Sequence, residues 1–109
     1  MHTVVETPAY LKAADKAGMS QVEREAAVSL LANNPESGDI IAGGGGVRKV
    51  RVPKQGQGKS GGYRVLTYYM TENEPVFLIS VINKSKQANL SDGQRAIVKE
   101  AAKEIRDDR

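Results

Sequence analysis

Residues 75–82, PVFLISVI, constrain the fold more than any other stretch of the chain. The run is almost wholly apolar and short, so it reads as a central strand buried on both faces. Two segments supply neighbours for it. YRVLTYYM (63–70) is rich in aromatic and β-branched residues and reads as a strand. VRKVRV (47–52) alternates, with Arg48, Val50 and Val52 on one side and Val47, Lys49 and Arg51 on the other. The connections at Thr71–Glu74 and through the Lys54–Gly62 loop are short, which favours an antiparallel meander. HTVVE (2–6) is a further short β-rich segment.

Around these strands the period changes to that of helices. Thr7-Pro8 marks a helix start, with Thr7 as N-cap and Pro8 in the first turn. Leu11 and Ala14 share a face, and Gly18 closes the helix. Ser20 and Glu23 form a capping box for a second helix, whose expected stripe is Val22, Ala26 and Leu30 with Ala27 and Leu31 alongside. Asn33-Asn34-Pro35 ends it, because proline disfavours helix in the residue before it. Ser91 and Gln94 open a C-terminal helix with Ile97, Val98, Ala101, Ala102 and Ile105 as its inward stripe. Between the halves lie Gly38 and four consecutive glycines, Gly43 to Gly46. Neither flank is long enough for a core of its own, so this loop is no linker and instead lets backbone pass close to something. The expected order is β-α-α-β-β-β-α. This is an α+β fold of two N-terminal helices on a small twisted, mainly antiparallel sheet, in a single domain over residues 1–109.

Composition narrows the function. The absence of cysteine excludes disulfides and thiolate metal sites. No signal peptide is evident in residues 1–10, and no apolar stretch approaches the ~20 residues of a membrane span. A cytoplasmic protein without a membrane partner is expected. The net charge of +3 is unevenly spread. Residues 1–46 carry Lys12, Lys16 and Arg24 against Glu6, Asp15, Glu23, Glu25, Glu36 and Asp39. Residues 47–64 carry Arg48, Lys49, Arg51, Lys54, Lys59 and Arg64 with no acid, and residues 65–109 balance. A concentrated basic block is the footprint of a polyanionic partner.

Within that block, Gly58-Lys59-Ser60 has the ending of a nucleotide-phosphate loop. Such a loop needs a first glycine five residues earlier, where Pro53 stands, and must lead into a helix. Here it leads into a strand pattern, so no nucleotide cofactor is expected. The stretch is a glycine-rich hairpin loop between basic strands. Lys49 and Arg51 share a face that cannot be buried, because uncompensated charge in a core is very costly. Val50 and Val52 therefore face the helices. Arg64, on the neighbouring strand, reaches the same open face, and Lys84 and Lys86, just past the third strand, can close a ring of cations. Tyr63 and Tyr69 share a face with Val65 and read as core, whereas Tyr68 shares the Arg64 face and is a candidate for stacking on RNA bases. The only histidine, His2, lies on the first strand and reads as a bystander.

GGVRKVRVPKQGQGKSGGYRVLTYY followed by VFLISVINKSKQANLS resembles the RelE/HigB-type toxins of bacterial toxin–antitoxin systems, over roughly residues 36–95. The resemblance implies the RelE/ParE-like fold and an mRNA endonuclease acting in the ribosomal decoding site, restrained by a cognate antitoxin. It implies cleavage by attack of the ribose 2′-hydroxyl on the adjacent phosphate, without metal or cofactor. Carried onto this sequence, it makes Lys49, Arg51, Arg64 and Lys84 the catalytic group. Arg48, Lys54, Lys59, Tyr68 and Lys86 are the RNA-binding candidates beside them. Some relatives place a catalytic tyrosine where this chain reads KQANL, and Ile82 stands where relatives tend to have an aromatic residue. Two other readings remain at this level. One is a non-cleaving toxin of the same fold acting on a target such as DNA gyrase, and the other is a plain nucleic-acid-binding domain.

Overall fold

A computed structural model describes residues 1–55, 62–87 and 89–108. Its elements follow the periods read above. They are β1 (Val4–Glu6), α1 (Pro8–Ala17), α2 (Gln21–Asn33), β2 (Asp39–Ile40), β3 (Arg48–Val52), β4 (Tyr63–Tyr68), β5 (Val76–Asn83) and α3 (Asp92–Asp107). The five strands form one sheet in the order β1-β5-β4-β3-β2. Strands β2 to β5 run antiparallel to their neighbours, and β1 adds to β5 in parallel. The fold is α+β, as expected, with β2 as an addition to the expected order.

Each boundary has a local cause. Thr7 accepts a hydrogen bond from Tyr10 N and donates its hydroxyl to Leu78 O at 2.7 Å, so one side chain caps α1 and pins it to β5. Both expected capping boxes form, Ser20 with Glu23 and Ser91 with Gln94. Strand β2 exists because Gly38, at φ +87°, brings the chain onto β3, and any Cβ there would overlap the Lys49 carbonyl oxygen. The tetraglycine loop also makes a close approach. Gly46, at φ +98°, lies so near the Tyr68 ring that a Cβ would sit 3.2 Å from it. Arg95 of α3 ties the loop down by donating to Ala42 O at 2.8 Å.

Two cores flank the sheet. On one face Tyr10, Ala14, Ala27 and Leu31 of α1 and α2 pack on Val50, Val52, Tyr63, Val65 and Leu78. On the other, Val98 and Ala102 of α3 cover Val47, Leu66, Tyr68 and Ile79. Leu31, Leu66 and Leu78 are fully buried, each contributing roughly 1.5–3 kcal/mol of hydrophobic stabilisation. The expected helix stripes need correcting. In α2, Val22 is 55% exposed and Glu23 is buried instead, and in α3 Ile97 is 70% exposed. Leu11 is exposed, and Tyr10 takes the inward position beside Ala14.

One irregularity organises the centre of the sheet. The β4–β5 register shifts between Leu66, opposite Ser80, and Thr67, opposite Leu78, which leaves Ile79 as an extra residue. Val76 and Leu78 face the α1/α2 core before the bulge, and Val81 faces it after. The side chains of β5 therefore exchange faces at Ile79. An apolar run tolerates this exchange because both faces are covered.

Candidate functional site

The basic face is the part of the α3 side of the sheet that α3 leaves open. Arg64, Leu66 and Tyr68 alternate onto that side of β4. Leu66 and Tyr68 lie beneath Val98 and Ala102, while Arg64 lies outside that cluster. In the β3–β4 register Arg51 is directly opposite Arg64, and Lys49 follows two residues along. Lys84 arrives from the end of β5, its backbone N donating to Gly62 O at 3.0 Å. Lys49, Arg51, Arg64 and Lys84, with Asp39 and Asn89, line one open cavity of about 790 Å³.

Four cations share this cavity with one carboxylate, that of Asp39. Among the described residues no carboxylate forms an ion pair with any of the four cations, whereas Arg24 pairs with Glu6 at 3.2 Å elsewhere in the fold. Arg64 is only 8% exposed and donates from Nη1 to Tyr63 O at 3.3 Å. Burial, and then the charge of Arg51, lower its pKa from the ordinary value. The Lys84 ammonium is lowered chiefly by Arg64, then by desolvation, Arg51 and Lys49. Like charges held this close disfavour one another, and an anionic ligand would relieve them.

The buried polar groups beneath the cavity hold it in shape. Asn83 donates from Nδ2 to Ala17 O at 2.9 Å, and its Oδ1 accepts from Ser85 N and Ser85 Oγ. This fixes the turn that carries Lys84. Glu23 accepts from Ser20 N, from Gln55 N and from Tyr63 OH, which ties α2 to both limbs of the β3–β4 hairpin. Burial pushes the Glu23 carboxyl up, but the hydrogen bonds from Ser20, Gln55 and Tyr63 outweigh that and leave its pKa lowered. Sequence reasoning saw Glu23 only as a capping residue and did not single out Asn83, Asp39 or Asn89.

The other basic and aromatic candidates lie apart from the four cations. Arg48 donates to Glu36 O and Gly38 O, holding the approach to β2. Lys54 reaches Ser85 Oγ at 3.3 Å and sits 5.7 Å from the centre of the Tyr63 ring. Lys86 lines a different cavity, with Lys16 and Gln94, so the expected ring of cations closes at Lys84 without it. Tyr68 is corrected outright: it shares the Arg64 face, but α3 lands on it, leaving it 6% exposed and unable to stack on a base. Lys59 and the Gly58-Lys59-Ser60 motif lie outside the described residues. Tyr63 is in the core and Tyr69 packs at its margin, with its hydroxyl 3.1 Å from His2 Nε2. That places His2 in a separate cavity with Glu36 and Glu72. Among the described residues no three His, Cys, Asp or Glu side chains group as a metal site. No described helix is long and apolar enough to cross a membrane.

Comparison with known proteins agrees with this architecture. The fold superimposes on a doubly arginine-to-alanine substituted E. coli toxin RelE in the free state, with a TM-score of 0.54 and 20% identity, over 80% of this chain and 87% of that one. Residues 3–108, nearly the whole sequence, match the family described as the RelE toxin of the RelE/RelB toxin–antitoxin system. An α+β sheet with one uncovered basic end and a family match of this extent lead to one conclusion: the chain belongs to the RelE toxin family.

Proposed function

We propose that this protein is a ribosome-dependent endoribonuclease that cleaves mRNA, acts in the cytoplasm and is held in check by a cognate antitoxin. The observation that carries the reading is the cavity in which Lys49, Arg51, Arg64 and Lys84 meet with no ion-paired carboxylate among the described residues. A phosphodiester backbone is the ligand such a group neutralises. In the reaction, the ribose O2′ gives up its proton to water and attacks the adjacent phosphorus as the P–O5′ bond breaks, giving a 2′,3′-cyclic phosphate and a 5′-hydroxyl. Negative charge builds on the non-bridging oxygens, and Arg64 supplies a planar pair of donors for them. Lys84, whose ammonium is made more acidic by its cationic neighbours, is suited to deliver a proton to the leaving O5′. Lys49 and Arg51 hold flanking phosphates.

The test is induced expression followed by mapping of mRNA 5′ ends on translated and untranslated messages. Cleavage confined to translated messages is the expected result, and Arg64→Ala should abolish both cleavage and growth arrest. Growth arrest with DNA damage signalling and intact messages would refute the nuclease reading and favour a gyrase-type target. Salt-sensitive binding to free RNA or DNA without toxicity would instead reduce the chain to a binding domain.

A further inference from the structure

Glu23 is a buried ionisable group that the proposed chemistry does not use. It sits on α2, on the far side of the sheet from the cavity, yet its carboxylate reaches the hairpin that carries three of the four cations, Lys49, Arg51 and Arg64. Oε2 accepts from Gln55 N at 2.8 Å, just past the end of β3. Oε1 accepts from Tyr63 OH at 3.0 Å, at the start of β4. Val52 and Tyr63 form the last β3–β4 pair of the described register, so these two bonds grip both limbs at the mouth of the hairpin. The Tyr63 hydroxyl also lies 3.2 Å from Gly18 O, but a carboxylate is the stronger acceptor. Tyr63 in turn offers its own carbonyl to Arg64 Nη1 at 3.3 Å. The chain of contacts runs Glu23, Tyr63, Arg64, from a helix N-terminal turn to the cavity.

We infer that Glu23, acting through Tyr63, is a positioning residue that sets where the Arg64 guanidinium stands in the cavity. A capping residue needs only the bonds to its own helix terminus. Glu23 makes those and spends two further acceptor sites on the hairpin, which a purely local cap does not require. The Tyr63 ring is fixed by the core on one side and by Glu23 at its tip, so its carbonyl, and the arginine attached to the next residue, have little freedom. The consequence for rate rests on the nuclease reading above, whereas the consequence for Arg64 geometry does not.

Two conservative variants test this, Tyr63→Phe and Glu23→Gln, with the double variant. Tyr63→Phe keeps the ring and removes only the hydroxyl, so it remains informative if Glu23→Gln folds poorly. Single-turnover cleavage on programmed ribosomes is measured beside the ¹⁵N–¹H resonance of the Arg64 Nε group. Each variant should slow maximal cleavage by about tenfold, the scale on which small misplacements act, while half-saturation stays within about twofold. The double variant should be no slower than the worse single one, and the Arg64 resonance should shift in every case. Folded variants that cleave at the wild-type rate with an unmoved Arg64 resonance would overturn the inference. If the wild-type protein does not cleave, the nuclease reading fails, and the resonance alone decides: a shift sustains the positioning role and no shift removes it.

Discussion

Replacing Arg64 with methionine should make this protein slightly more stable and far less active. Arg64 is 8% exposed and stands directly across from Arg51, with Lys84 and Lys49 lining the same cavity. Like charges directly opposite across a ladder cost roughly 0.2–1 kcal/mol, and the two lysines add to that. Methionine keeps most of the aliphatic stem that packs against the sheet and removes the charge. Against this, the substitution loses the bond to Tyr63 O, which at 3.3 Å is long and is worth about 0.5–1 kcal/mol. The ladder repulsion and the lost bond are of similar size, so the added repulsion of the two lysines decides the sign, and Tm should rise slightly, by less than about 4 °C. Cleavage should fall by about 10²–10³, the effect of removing one preorganised donor from a developing oxyanion. Thermal melts of both proteins at about 0.05 and 1 M salt separate the causes, because at 1 M the screening length is only ~3 Å and the advantage of the variant should shrink. A variant that melts lower than wild type at low salt and still cleaves would refute the account of a mutually repelling, anion-seeking cluster.

Three further outcomes are expected. Because its hydrogen bonds lower the folded pKa of Glu23, its stabilising contribution is present above the unfolded carboxyl pKa and is lost as pH falls through the folded value. Urea titrations from pH 7 down to about 3 should show this loss in wild type and a shallower slope in Glu23→Gln. Gly38→Ala places a Cβ onto the Lys49 carbonyl at a positive φ, so it should cost at least ~2 kcal/mol in denaturant unfolding and weaken cleavage by displacing β3. Lys84→Ala should reduce the cleavage rate far more than Lys86→Ala, since only Lys84 lines the cavity with Arg64; equal losses would contradict the assignment of Lys84.

The strands and the four clustered cations were legible because they rest on alternation, the strongest rule a sheet obeys. Val50 and Val52 must be inside, so Lys49 and Arg51 must be outside, and Arg64 follows from the adjacent strand. What the sequence concealed was tertiary in origin. Nothing in YRVLTYYM reveals that α3 will land on Tyr68 and stop short of Arg64. Val22 and Glu23 are neighbours on α2, and the apolar one is the natural choice for the interior. Glu23 goes inside because Gln55 N and Tyr63 OH, distant in sequence, satisfy its oxygens. Arg48, Lys54 and Lys86 carry the same charge as the residues in the cavity, but backbone carbonyls, a serine hydroxyl and a second cavity hold them elsewhere. Strand β2 is two residues long and depends on its pairing with β3, so it left no periodic trace.

The extra residue at Ile79 decides which way the end of β5 points. Ile82 lies opposite Arg64, and Lys84 is two residues further on the same side. Shortening β5 by one residue before Ser80 would turn over everything downstream, aiming Lys84 toward the N-terminal helices and Val81 toward solvent. A one-residue deletion there would thus disarm the toxin without touching any of its cations, and a family member lacking this insertion would have to recruit its third basic element from another part of the chain.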